Sequence, residues 1–140
     1  MSQSNVQQGP IVLTAHVDLT DKEGLLVKIV NDSNIAKFAL PTDNADLALF
    51  VLIDGDEAGK TAAAQPLSSD KSVRIRLDGT CVPGDILVLA DTAADDKGKV
   101  RTLPSVDGTY RGLAVAEEQG VDGQLIKARP AMIGNITIST

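Results

Sequence analysis

The chain has 140 residues and a formal net charge of −6, and only 2% of its residues are aromatic. Nucleic-acid backbones and anionic membranes attract clustered Lys and Arg, so the acidic balance argues against both as partners. The scarcity of aromatic rings predicts an aliphatic core and disfavours binding by stacking on bases or sugars. The length predicts one domain, at residues 11–140, with no need of a disulfide or metal.

The first ten residues, MSQSNVQQGP, are polar and end in Gly9-Pro10. This composition is typical of a mobile N-terminal arm, residues 1–10, which either stays disordered or orders on a partner by adding a strand to a sheet edge. The arm lacks the basic and apolar regions of a secretory signal. The longest apolar run, Leu47 to Ile53, is too short to span a bilayer.

Three apolar runs in the first third of the chain alternate with polar turns and predict strands. They span Ile11–Val17, Leu25–Val30 and Ile35–Leu40. Residues 31–34 (NDSN) have the composition of a tight turn, so we expect the second and third runs to form a hairpin.

Three segments in the middle of the chain are less clearly patterned. Pro41–Asp46 is expected to be an irregular connection or a single capped helical turn. Leu47–Ile53 is continuously apolar, which suits a strand buried on both faces, although periodicity does not separate it from a short buried helix. Ala58–Pro66 is rich in alanine and is expected to be a loop or an exposed hairpin.

The second half of the chain carries the clearest strand pattern. Val73–Leu77 alternates apolar and basic residues, which predicts Val, Ile and Leu inward and both arginines outward. Further strands are expected at Ile86–Ala90, Val100–Leu103, Tyr110–Ala116, Gln124–Arg129 and Met132–Ile138, with an acidic loop at Asp91–Gly98.

Asp-Gly pairs occur at positions 54, 78, 107 and 122, and each is a natural hairpin corner. Strands this short and closely joined leave no room for crossover helices. The chain is therefore predicted to be all-β and mostly antiparallel. We expect a small barrel or sandwich with short hairpins and at most one or two short helical turns.

Few residues suggest catalysis. His16 is the only histidine and Cys81 the only cysteine, and a nucleophilic cysteine needs a nearby base. Since the two lie far apart in sequence, we expect both to be structural or surface residues. A thiol without a disulfide partner fits a reducing cytosol.

Charged residues also allow two interpretations each. Calcium prefers several carboxylates on one loop, but the two acidic corners lack the spacing of an EF-hand and are expected to be solvated turns. They are Asp54, Asp56 and Glu57 at one corner, and Asp91, Asp95 and Asp96 at the other. The adjacent Glu117 and Glu118 should point to opposite faces, so they form no acid/base pair. Five arginines on strands either pair with carboxylates of a neighbouring molecule or cover a solvated sheet face; they are Arg74, Arg76, Arg101, Arg111 and Arg129.

The segment from Pro41 to Pro130 resembles the small capsid decoration (cement) proteins of tailed bacteriophages. The resemblance is carried by the runs RIRLDGTCVPGDILVLAD, GKVRTLP and GTYRGLAVAEEQGVDGQLIKARP, and PTDNADLALFVL before them is similar to the same group. Three features match the family. They are a Gly84-Asp85 turn leading into an apolar strand, a strand with Gly108 and Gly112-Leu113-Ala114, and a Gly120 to Gly123 turn before the last strand.

The resemblance implies a virion protein that is made in the host cytoplasm and binds the outer capsid surface. It implies a homotrimer that bridges subunits of the major capsid protein and stabilises the shell. It also implies no enzyme activity, no catalytic, cofactor-binding or metal-binding residues and no cofactor, and it identifies no individual contact residue. Another virion component, such as a tail, spike or host-attachment protein, is the alternative.

Overall fold

The computed structural model describes residues 9–91 and 96–140, and these residues form strands and no helix. In chain order the strands are β1 (Ile11–Ala15), β2 (Leu26–Asp32), β3 (Ile35–Ala39), β4 (Phe50–Asp54), β5 (Thr61–Pro66), β6 (Val73–Arg76), β7 (Ile86–Leu89), β8 (Val100–Thr102), β9 (Gly108–Ala116) and β10 (Leu125–Ile138). The predicted all-β, mostly antiparallel class is therefore confirmed. Residues 1–8 of the predicted arm and residues 92–95 of the predicted acidic loop lie outside the described residues.

The first five strands form a closed barrel in the order β1-β3-β2-β4-β5. The neighbouring strands are antiparallel except β1 and β3, which run parallel. The predicted hairpin is formed by β2 and β3, and its turn residues Ser33 and Asn34 have positive φ angles of 53° and 67°. Two successive left-handed residues make the turn whose twist matches that of the flanking strands.

The other five strands form a second sheet in the order β6-β10-β9-β7-β8. Its two outer strands approach each other at one end, where Leu77 bridges Val100 in parallel. A further bridge joins Cys81 to Gly120 through two backbone hydrogen bonds of 3.2 and 3.1 Å. These contacts curl the second sheet toward a barrel, so both halves of the chain are built from strongly curved sheets.

Strands β2 and β4 separate two hydrophobic clusters. Leu26 and Val51 belong to the cluster inside the second sheet, whereas Val27 and Leu52 belong to the cluster inside the barrel. Successive side chains of a strand point to opposite faces, so each of these strands contributes to both clusters. Apart from Phe38 in the barrel and Tyr110 in the second sheet, the buried hydrophobic side chains of the described residues are aliphatic or Cys81, as the composition predicted.

The expectation for Leu47–Ile53 is correct in its centre and wrong at its ends. Val51 and Leu52 are buried on opposite faces, but the strand begins at Phe50. Leu47 is 58% exposed and Ile53 is 48% exposed, and the alternative of a short helix is wrong. The strand is buried only where it separates the two clusters, so the continuous apolar run is longer than the part of it that is buried.

The expectation that Ala58–Pro66 is a loop or an exposed hairpin is wrong. Its second half is β5, which pairs with both β1 and β4 and closes the barrel. Ala62 and Ala64 are buried in the cluster that contains Phe38. Alanine has little intrinsic preference for strands, but packing decides strand formation, and small side chains leave room here for an aromatic ring.

The two strands expected at Gln124–Arg129 and Met132–Ile138 are one strand, β10, interrupted by a bulge between Pro130 and Gly134. Pairing with β6 ends at Ala128, just before Pro130. Proline has no N–H to donate, so it is suited to the point where a central strand becomes an edge strand. Of the four Asp-Gly pairs, those at positions 54 and 122 lie at the hairpins β4–β5 and β9–β10. Those at positions 78 and 107 lie between strands that do not pair with each other, so the expectation of a hairpin corner is wrong there.

Candidate functional site: an apolar groove beside the β10 bulge

The residues considered for catalysis do not come together. Cys81 is buried in the cluster of the second sheet, where burial raises the pKa of its thiol and its Sγ donates to the Glu118 carbonyl. His16 follows β1 at the barrel, and its Nδ1 lies 3.7 Å from the Asp32 carboxylate. None of the recorded polar contacts of either residue involves the other, so the geometry offers the thiol no imidazole base.

The described residues of the two acidic corners lie in no group that could hold a metal ion. Among residues 9–91 and 96–140, His, Cys, Asp and Glu side chains make no group of three that could hold a metal ion. Asp78 lies near other carboxylates: partial burial raises its pKa, and the charges of Asp96 and Asp122 raise it further. The nearby Lys99 and Arg101 lower the pKa and partly offset this effect. Asp95, in the second predicted corner, lies outside the described residues.

Glu117 and Glu118 follow the end of β9, and their contacts serve the fold. Ser72 donates its hydroxyl to Glu117, and this bond lowers the pKa of that carboxyl. The backbone N–H of Lys127 donates to Glu118 over 2.8 Å and lowers its pKa in the same way. Both carboxylates therefore hold the turn between β9 and β10 against neighbouring strands.

The strand arginines are also engaged within the chain. Arg74 lies 2.6 Å from Glu118, and Arg129 lies 3.3 Å from Glu117. The other three contact backbone carbonyls or an aromatic ring: Arg76 donates to the Glu23 carbonyl, Arg111 to the Ala45 carbonyl, and the Arg101 guanidinium lies 5.6 Å from the centre of the Tyr110 ring. These contacts leave the arginines partly occupied before any neighbouring molecule is present.

The feature that best suits an interaction is a groove of about 360 Å³ beside the β10 bulge. Its lining is mainly aliphatic, and Arg111 is the charged side chain that the described residues contribute to it. The apolar lining residues are Leu47, Leu49, Leu67, Leu113, Pro130, Ala131 and Met132. Apolar concavities bordered by a few polar groups are the usual form of a binding surface, so we take this groove as the candidate site.

The bulge places one large apolar side chain on the rim of the groove. Met132 is 91% exposed, the highest value among the exposed large hydrophobic residues of the described chain. The next residue, Ile133, packs where a β-carbon on Gly112 would stand, 2.8 Å from that position. Gly134 has a φ of 84°, a left-handed angle that glycine adopts without strain and that restarts the pairing with β9.

A carboxylate holds the loop that precedes Leu47, one of the lining residues of the groove. Asp46 Oδ2 accepts hydrogen bonds from the Thr42 N–H (2.7 Å), the Asp43 N–H (3.1 Å) and Lys28 Nζ (2.8 Å). Partial burial raises the pKa of Asp46, but these hydrogen bonds outweigh it and hold the pKa below its ordinary value. The loop that presents Leu47 is therefore fixed by its own side chains.

A second depression, of about 460 Å³, lies at the barrel and is lined by His16, Lys28 and Lys97 among others. Two of these basic groups already face carboxylates, Lys28 at Asp46 and His16 at Asp32. This depression is therefore a weaker candidate for recognising an anion than its three basic residues suggest.

The groove is not visible in any local stretch of the sequence. Its parts come from four separate segments, at residues 47–49, 67–69, 111–113 and 130–134, and only folding brings them together. One signal was present: the run from Ala131 to Thr140 contains no charged residue in a chain of which 23% is charged. Among the described residues, no helix has the length and apolar character needed to cross a membrane.

Comparisons with known proteins show a shared fold. No family model matches the chain, and no curated protein matches it in sequence. A solved structure, the head fiber gp8.5 N base of bacteriophage phi29, superposes with a TM-score of 0.65 at 13% sequence identity. The match covers 94% of this chain and 98% of that chain. The two proteins therefore share an architecture along nearly their whole length.

Proposed function

We propose that the chain is a structural protein of a phage virion that binds the outside of the capsid. The observation that carries this proposal is the likeness in fold to the phi29 head fiber N base over nearly all of both chains. The sequence resemblance to capsid decoration proteins supports the same class of function independently of the fold. On this basis the protein acts as a decoration protein that bridges subunits of the major capsid protein.

The architecture suits a mechanical role. The first five strands close into a barrel in which every strand has a partner on both sides, so this half of the fold resists deformation without a disulfide. A capsid filled with DNA pushes its subunits apart, and a stiff module that contacts two subunits raises the free energy needed to separate them. Many copies on one lattice add avidity, so a modest affinity at each contact is sufficient.

The proposed assembly is a homotrimer with no catalytic function. A trimer presents three copies of each surface to the shell and strengthens attachment by the same avidity. Because Cys81 and His16 lie apart and have structural contacts, we expect Cys81→Ser and His16→Ala to leave capsid binding unchanged.

The proposal is tested on heads of the phage that encodes the chain. Expanded heads lacking the protein are mixed with purified protein, sedimented and analysed for bound copies, and DNA release is then followed during heating. We expect saturable binding and release at a higher temperature in decorated heads. Heads that bind no protein, or that release DNA at the same temperature with and without it, would contradict the proposal.

A second function is favoured by one observation, the name of the matched structure. A head fiber base belongs to an appendage, so the chain is alternatively the base of a projecting fibre, a spike, a tail component or a host-attachment protein. Immunogold labelling of purified virions separates these locations. Label over the whole head supports decoration, whereas label on the tail or at isolated projections supports the alternative.

A further inference from the structure

The outer half of β10 has one free edge in the described structure. Pairing with β6 covers Leu125 to Ala128, and beyond that point the described residues pair β10 with β9 alone. The opposite edge, from Ala131 to Ile138, has no backbone partner among residues 9–91 and 96–140. Beyond the bulge, the five regularly paired residues Gly134–Ile138 span about 17 Å, and alternate residues present their N–H and C=O groups outward.

This edge has little of the protection that natural edge strands usually carry. Edge strands are commonly guarded by charged side chains, especially Lys, or by proline and bulges. Here the bulge ends at Gly134, and the run from Ala131 to Thr140 contains no charged residue. An uncharged, β-prone edge that is left open is a template for another strand.

The protruding Met132 side chain and the groove beside it have complementary shapes. Met132 projects from the rim with 91% of its surface exposed, and the groove beside it is lined by leucines and proline. One surface thus contains both a protruding side chain and a depression that accepts one. A surface of this kind can bind a second copy of itself, since each copy offers what the other needs.

The low charge of this surface favours a second copy of the chain over a partner that binds through complementary charges. The chain has a net charge of −6, so two copies repel each other over most of their surfaces. Within residues 9–91 and 96–140, the charged residue that lines the edge and the groove is Arg111, and its Nε donates to the Ala45 carbonyl. Two copies can therefore meet here without opposing carboxylates, and the apolar lining matches the composition of interfaces between identical subunits.

We propose that copies of the chain associate through this surface, which we call the β10 edge surface: residues 131–138 and the adjoining groove. The free edges of two copies pair backbone to backbone, and Met132 of each copy packs against the groove of the other. Two identical edges that pair with each other form a two-fold contact, so the inference predicts a dimer contact in addition to the trimer of the proposed function.

The test measures the mass of the full chain in solution by light scattering and sedimentation velocity. Met132→Glu and Asn135→Glu each place one charge in the β10 edge surface at an exposed position. Val12→Glu is the matched control, because Val12 is 61% exposed on β1, outside the β10 edge surface, and the change in net charge is the same. Circular dichroism and thermal unfolding confirm that all three variants are folded.

We expect the wild type to be an oligomer, each variant of the β10 edge surface to weaken association at least tenfold, and the control to match the wild type. In the oligomer, hydrogen exchange should show slow amides at residues 131–138 that become fast in Met132→Glu. A monomeric wild type, or an oligomer that both surface variants leave intact, would overturn the inference. If the wild type is monomeric and these variants instead lose head binding, the surface binds the shell, and only the inference fails. If oligomers form as expected and do not bind heads, only the proposed function fails.

Discussion

Truncation of Phe38 is the sharpest test of the closed barrel. Its side chain is fully buried, and its ring meets that of Phe50 edge to face with the ring centres 5.5 Å apart. Removal of a buried phenylalanine ring costs about 3–5 kcal/mol of unfolding free energy, including the cavity that remains. The barrel closes through hydrogen bonds on every strand, and three other buried members of this cluster are alanines, so the walls have little means of collapsing into the space. We therefore expect Phe38→Ala to lose about 4–5 kcal/mol, the upper part of that range.

The measurement is urea unfolding followed by far-ultraviolet circular dichroism, with the wild type in parallel. At a slope of about 2 kcal/mol per M, the loss moves the unfolding midpoint down by about 2 M. Ile35→Ala on the same strand is the control, because Ile35 is 57% exposed, and we expect it to change stability by less than about 0.5 kcal/mol. A loss below about 1.5 kcal/mol for Phe38→Ala, or one equal to that of the control, would show that this ring does not fill a closed core.

Three further predictions use the same unfolding assay. A β-carbon at Gly120 would overlap the Ile126 side chain, so Gly120→Ala should lower the unfolding free energy by about 1–3 kcal/mol. Gly9→Ala is the control and should be neutral, because nothing lies within 4 Å of that position. Equal effects of the two changes would refute the packing around Gly120. Burial and neighbouring carboxylates raise the pKa of Asp78 above 3.8, so its charge weakens the fold at neutral pH; Asp78→Asn should be more stable than wild type there, and the difference should shrink as the pH falls to about 3.8. The lowered pKa of Asp46 means that its charge stabilises the fold, so Asp46→Asn should be less stable than wild type at neutral pH and approach it as the pH falls below 3.8. A change of stability in the same direction in both variants would contradict these assignments.

Local patterns determined much of the fold. The alternation in Val73–Leu77 predicted which side chains point inward, and Val73, Ile75 and Leu77 are buried. The turn before Ile35 predicted the first hairpin, and the scarcity of aromatics predicted an aliphatic core. These features depend on residues close in sequence, where the two-residue period of a strand and the backbone preferences of turns act directly.

Only the tertiary structure decided how the strands combine. Strand β5 exists because β1 and β4 lie on either side of it, and its alanines are suited to a place opposite Phe38. Likewise β10 runs through Pro130 because β9 supports both sides of the bulge. The parallel contact of β1 with β3 depends on closure of the barrel, which no window of the sequence contains.

The candidate site follows the same division. The amino-acid sequence by itself determined that the run from Ala131 to Thr140 has no charged side chain. Folding decided that this run lies at an open sheet edge beside Leu47 and Leu67, with Met132 exposed at the rim. The physical reason is that charge and turn preference belong to single residues and their neighbours, whereas an edge and a groove belong to pairings between segments far apart in the chain.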